Sequence, residues 1–154
     1  MQWNADGLSQ PNRVEILETL NTYDIEAFTI MEANLTNDSL KYYSFKDYSL
    51  FILFRSGQVA SGILVGIKSR VTVDFRIIKY MESSFDKNEV VEINVWKIQR
   101  PLKIFAIYSP PNNKTDFSFH NSSSHPIFLG DFNAHSPMWG YNDSNEAGKS
   151  VEDL

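Results

Sequence analysis

An α/β protein with two packed sheets and helices outside is the architecture this sequence predicts. Three observations lead to it. The first 32 residues read as strand, helix, strand, the opening of an α/β layer. From about residue 40 to residue 108, runs rich in β-branched and aromatic residues follow one another with few helices between them. Four apolar runs then stop at a polar residue and break, as strands do when a sheet presents one edge to a ligand.

Each element follows from local pattern. Met1-Gln-Trp-Asn4 reads as the tail of a strand, and Asn4 to Leu8 as a polar loop with a glycine turn. Asn12 and Glu15 have capping-box spacing with Pro11 just before, and Val14, Leu17 and Leu20 form one apolar stripe. That combination predicts an amphipathic helix over residues ~12–22. Ile25 to Met31 is a mostly apolar run ending in Glu32, and residues ~40–54 are aromatic and β-prone, as sheet core requires. Gly62–Lys68 and Val71–Tyr80 read as strands. Val91-Glu-Ile-Asn-Val95 alternates cleanly and predicts a half-buried strand. Leu102–Tyr108 ends at Ser109-Pro-Pro111, because proline cannot continue a ladder. Residues ~112–125 are rich in Asn and Ser and read as loop. Ile127–Leu129 is a short buried strand, and a helix begins near Ala147.

The totals bound the function. At 154 residues, one domain with a real core is expected. There is no cysteine, which removes disulfides, thiolate metal sites and a thiol nucleophile. The net charge of −5 argues against a non-specific nucleic-acid binder that works through a basic face, and leaves room for an enzyme whose cations are bound metals. No apolar run approaches the ~20 residues of a membrane span, and no signal peptide is visible.

The chemistry is expected at the strand ends. Asn4, Glu32, Tyr108 and Asp131 each close an apolar run, and Asn133 follows Asp131 at a spacing of two. In extended backbone that spacing aims both side chains to one side. Strands that are neighbours running the same way would bring these residues to one edge, with Asp6 just above. Such a set of carboxylates, amides and a phenol suits Mg²⁺ or Mn²⁺ and phosphoryl chemistry.

Trp3-Asn-Ala-Asp-Gly-Leu8, the Glu32 strand end, Tyr108-Ser-Pro-Pro111 and Gly130-Asp-Phe-Asn133 together resemble the endonuclease/exonuclease/phosphatase family. The longer forms, above all Gly130-Asp-Phe-Asn-Ala-His-Ser-Pro-Met-Trp-Gly140, are most similar to the endonuclease domain of jockey-like non-LTR retrotransposons. The resemblance runs the whole chain. It implies a four-layer α/β/β/α sandwich of two mixed sheets, spanning residues 1–154 as a partial, C-terminally truncated domain. It also implies metal-dependent hydrolysis of DNA. Glu32 would bind the metal, with Asp6 nearby. Asp131 would orient and deprotonate the attacking water. Asn4 and Asn133 would hold phosphate oxygens, and Tyr108 would donate to the same phosphate. In a full-length element a reverse transcriptase domain and the element's RNA would be partners, no membrane would be involved, and the nucleus would be the place of action.

The resemblance also implies a downstream Ser-Asp-His segment, which these residues do not contain, and a helix before Gly130, for which the segment there is too short and polar, so that sheet surface would be left exposed. Two rival readings follow: a catalytically inactive retroelement remnant, and a phosphatase of the same fold. Gly148-Lys149-Ser150 resembles the end of a P-loop but lacks the glycine five residues earlier, where Asp143 stands, and follows a polar loop.

Overall fold

The structure is a computed structural model that describes residues 1–55, 60–81, 87–96, 101–120 and 125–154. Strands β1 (Gln2–Asn4), β2 (Ala27–Met31), β3 (Tyr48–Leu53) and β4 (Ile63–Lys68) form one sheet in the order β1-β2-β4-β3. Strands β5 (Thr72–Lys79), β6 (Glu89–Trp96), β7 (Pro101–Tyr108) and β8 (Ile127–Asp131) form the other, in the order β5-β6-β7-β8. The pairings mirror each other: β1–β2 and β7–β8 are parallel, and every other pair is antiparallel.

Residues alternate across each strand, so each sheet has an inner and an outer apolar face. Met31, Ile63, Val65 and Ile67 of the first sheet meet Val91, Ile93, Ala106 and Tyr108 of the second in the central core. The two sheets therefore pack face to face, as the sequence predicts.

Helix α1 (Gln10–Thr22) covers the outer face of the first sheet, burying Ile16 and Leu20 against Phe28, Ile30 and Leu64. Each such side chain is worth about 1.5–3 kcal/mol. The helix starts earlier than its sequence signals predict. Ser9 is the N-cap, accepting the Asn12 N–H at 3.3 Å, and Pro11 sits in the first turn, where its missing N–H costs nothing. Asn12 instead ties the helix to the preceding loop, donating to the Ala5 and Gly7 carbonyls at 3.2 and 3.4 Å. Val14, expected on the apolar stripe, is 52% exposed, since the buried pair is Ile16 and Leu20.

Two further expectations are corrected. Strand β6 is buried on both faces, because Val91, Ile93 and Val95 pack into the central core and Val90 meets Phe105 and Ile107 on the other side. The outer face of the second sheet is not bare. Phe117 and Phe119 fold from the loop onto Phe105 and Phe128, with centroids 5.1–6.5 Å apart across the cluster, and Val151 of α3 (Glu146–Glu152) joins them. Aromatic side chains bury enough area each to stand in for a helix there. Of the loop expected over 112–125, residues 121–124 lie outside the described residues. A short helix, α2 (Asn37–Leu40), has no counterpart in the sequence reading.

Candidate active site

The two parallel pairs end at the same edge of the sandwich. Register places Asn4 beside Met31 in one sheet and Tyr108 beside Asp131 in the other. Glu32 follows directly on β2. The Asn4 amide joins the sheets: its Nδ2 donates to Glu32 Oε1 at 2.8 Å and to Asp131 Oδ2 at 2.6 Å. Asn4 Oδ1 accepts the Asp6 backbone N–H at 3.1 Å, which fixes which way the amide faces. Four of the residues expected at one strand edge, Asn4, Glu32, Tyr108 and Asp131, are thus brought together. Asp6 is exposed, and its backbone rather than its carboxylate makes this contact.

The arrangement is held by strained backbone. Glu32 has φ +52°, Asn133 +45° and Asp6 +45°, all in the left-handed region. For glutamate this is uncommon and costs about 1–3 kcal/mol. Neighbouring bonds enforce it: the Glu32 carbonyl accepts the Gly7 N–H at 2.8 Å, and the Ala33 N–H donates to Gly62 O at 3.0 Å.

Asp131 and Asn133 converge by a route other than the expected one. β8 stops at Asp131, and the left-handed Asn133 turns back so that its backbone N–H donates to Asp131 Oδ1 at 3.1 Å. The pair is a turn rather than an extended strand end. The Asn133 Nδ2 donates to the Ser109 carbonyl at 2.9 Å, bracing the ends of β7 and β8. Tyr108 is buried with its hydroxyl directed at Glu32. Burial raises its pKa first, and the Glu32 carboxylate beside it raises it further. A neutral phenol is therefore held against Glu32.

One site residue escaped the sequence reading. Glu89 opens β6, pairs with Tyr108 in register, and is fully buried. Its Oε2 accepts the Gly62 N–H at 2.7 Å, while Oε1 has no hydrogen-bond partner. Because Gly62 also holds the Ala33 N–H, Glu89 clamps the second sheet to the backbone beside Glu32. Burial pushes its carboxyl up to about 7, with the Gly62 bond opposing and the Glu32 charge adding. An acid whose native pKa is raised stays protonated while the unfolded chain ionises, so its stabilisation is full at acid pH and is lost as pH rises toward 7. We expect this group to remove about 3 kcal/mol of stability between pH 4.5 and pH 7. Urea unfolding at pH 5 and pH 8 checks it: Glu89→Gln should flatten the difference, and an unchanged slope would refute the assignment.

Asp131, Glu32 and Glu89 form no ion pair with a lysine or arginine among the described residues. Unpaired hard oxygen donors at one edge fit Mg²⁺ or Mn²⁺. No three acidic or imidazole groups among the described residues lie close enough to enclose an ion. The edge therefore offers the one or two carboxylates that Mg²⁺ takes while keeping its waters. A larger cavity of about 570 Å³ lies at the opposite end of β4, by Asp47, Lys68 and Arg70. Its cations are already paired, Lys68 with Asp24 and Arg70 with Glu26. No helix among the described residues is long and apolar enough to cross a membrane.

Comparison with known proteins bears on the fold and on the C-terminal part of the chain. Residues 102–154, which carry Tyr108, Asp131 and Asn133, match the endonuclease-reverse transcriptase family. No curated protein matches the chain in sequence. Among solved structures, the catalytic domain of Xenopus laevis APE2 is similar at TM-score 0.64 and 16% identity, covering 99% of this chain and 66% of that one. D. rerio TDP2, crystallised with a single-strand DNA product, is similar at TM-score 0.61 and 15% identity, covering 88% and 60%. The mannosyl-6-phosphatase Bt3783 of Bacteroides thetaiotaomicron is similar at TM-score 0.55 and 10% identity, covering 99% and 69%. The chain thus spans less than two thirds of the length of the first two. The C-terminal third of the chain thus matches the endonuclease-reverse transcriptase family, and the whole chain shares its fold with these nuclease and phosphatase structures.

Proposed function

We propose that the chain carries a Mg²⁺- or Mn²⁺-dependent phosphodiesterase site that acts on DNA, as in the target-nicking domain of a non-LTR retrotransposon. Supporting it above all is the single Asn4 amide that holds a carboxylate from each sheet, Glu32 and Asp131, with no cation side chain among the described residues paired to either. Two negative groups kept that close are costly unless a positive charge or a reacting centre uses them.

Each side chain then has a task. Glu32, with Asp6 beside it, would hold the ion, which when bound offsets charge on the phosphate and the leaving oxygen. Tyr108, its hydroxyl directed at Glu32, would keep that carboxylate in place. Asp131, fixed by Asn4 and by the Asn133 N–H, orients a water and takes its proton as the water oxygen approaches phosphorus. Both Asn4 amide hydrogens stay with Glu32 and Asp131, so the Asn133 amide hydrogen not given to Ser109 would be the one to donate to a phosphate oxygen as it gains charge. In a full-length element, reverse transcriptase and element RNA would use the nick.

Nicking of supercoiled plasmid by the purified chain tests the reading. Nicks should form in Mg²⁺, stop with a chelator, and disappear in Glu32→Ala. A folded chain that leaves plasmid intact while hydrolysing a small phosphate monoester would replace the nuclease by a phosphatase. A folded chain inert toward both would make it a remnant.

A further inference from the structure

Beyond Asn133 the chain builds a stiff bracket that the phosphate chemistry does not use. Asn145, the N-cap of α3, accepts the His135 N–H at 3.0 Å and donates to the Asn133 carbonyl at 2.8 Å. The buried Ser136 accepts the Met138 N–H at 3.0 Å through its hydroxyl, which also bonds Glu152. The Ser136 carbonyl takes the N–H groups of Trp139 and Tyr141, and the Trp139 indole N–H donates to Ala134 O at 3.2 Å. α3 approaches closely because residue 148 is glycine: a Cβ there would lie 1.9 Å from the His135 carbonyl oxygen. That contact accounts for Gly148 in the segment that resembles a P-loop.

The bracket holds aromatic rings at the surface. His135 and Tyr141 stack in parallel, centroids 4.2 Å apart and planes within 5°. Tyr141 is nonetheless 48% exposed and Trp139 41%. Both line an open cavity of about 280 Å³ whose other walls include Asp131 and Asn133. Rings fixed by hydrogen bonds and a partner ring lose little freedom when a further flat group stacks on them. The nearby cation, Lys149, is paired with Glu146 at 2.8 Å, so the cavity itself offers stacking rather than positive charge.

We propose that the Tyr141–Trp139 face is a nucleobase-stacking subsite for the nucleotide next to the scissile phosphodiester. The inference rests on the hydrolytic reading above and names what that site grips besides phosphate. A base is flat, carries a π-face and is attached at the distance of one nucleotide from the phosphate at Asp131. Stacking of this kind tolerates any sequence. It also suits a chain of net charge −5, which lacks the excess of cations that counterion release would need.

The test uses the whole chain with Asp131→Asn added to stop turnover, in Mg²⁺. Fluorescence anisotropy compares a single-stranded oligonucleotide with an abasic sugar-phosphate strand of equal length. The base-bearing strand should bind at least about tenfold tighter, and Tyr141→Ala should erase the difference while Tyr141→Phe keeps it. Equal binding of both strands, a preference that survives Tyr141→Ala, or no binding of either would overturn the subsite. The two readings separate cleanly. Loss of the subsite alone leaves plasmid nicking by the unmodified chain intact. Failure of the hydrolytic reading abolishes nicking while base-dependent binding persists.

Discussion

Asp131→Asn is expected to cut DNA hydrolysis about a thousandfold while moving the melting temperature by only a few degrees. The activity loss follows from the proton. An amide cannot take one from water, and a positioned general base contributes about 10²–10⁴ in rate. The small stability change follows from the bonds. Asp131 accepts one from the Asn4 amide and one from the Asn133 N–H. An asparagine oxygen can keep only one of these, and losing the other costs about 1 kcal/mol. Removing the charge also relieves its repulsion with Glu32, which shares the same Asn4 amide. For a chain of this size 1 kcal/mol is roughly 2–4 °C. Plasmid nicking and calorimetry on the same preparation check both halves. Full activity in the variant would place the base elsewhere. A collapse in melting temperature would make Asp131 a structural residue first.

The sequence exposes strand ends well and strand beginnings poorly. Asn4, Glu32, Tyr108 and Asp131 were legible because each closes an apolar run, and parallel pairs place such closures at one edge. Glu89 was not, although it lies at the same edge. β6 runs antiparallel to β7, so its first residue, not its last, faces Tyr108. Only the pairing reveals that. Asn133 was found through a spacing argument that the backbone does not obey: the residue is left-handed, and the turn, not the pleat, brings it to Asp131. The alternation in Val91–Val95 predicted one wet face, yet Val90 meets a phenylalanine cluster supplied by a loop with no periodic signal. Long-range cover of that kind leaves no local trace in composition. The start of α1 was misplaced for a related reason, since Ser9 and Asn12 are both good caps and the tertiary bonds from Asn12 to Ala5 and Gly7 decide between them.

Gly130→Ala is expected to destabilise the chain by about 4 kcal/mol or more, lowering its melting temperature by about 10 °C or more. Two costs act together. Residue 130 has φ +148°, which L side chains rarely adopt. A Cβ built there lies 1.8 Å from the Ile107 carbonyl oxygen and 2.8 Å from its carbon, and both are backbone atoms of the paired strand that cannot swing aside. Relief requires β8 to move off β7. That movement would strain the bond from the Ser109 N–H to the Asp131 carbonyl, 2.8 Å, and draw the Asp131 carboxylate away from Asn4. Stability and hydrolysis should therefore fall together, unlike in Asp131→Asn. Gly140→Ala separates the two costs. It too has a positive φ, +95°, but an added Cβ meets nothing within 4 Å, so only the backbone penalty of about 1–3 kcal/mol applies. Thermal unfolding of the two variants side by side gives the answer. Equal shifts would mean that φ alone sets the cost and that β7 and β8 have room to spare. A markedly larger shift for Gly130→Ala would establish that glycine sets the strand spacing on which the position of Asp131 depends.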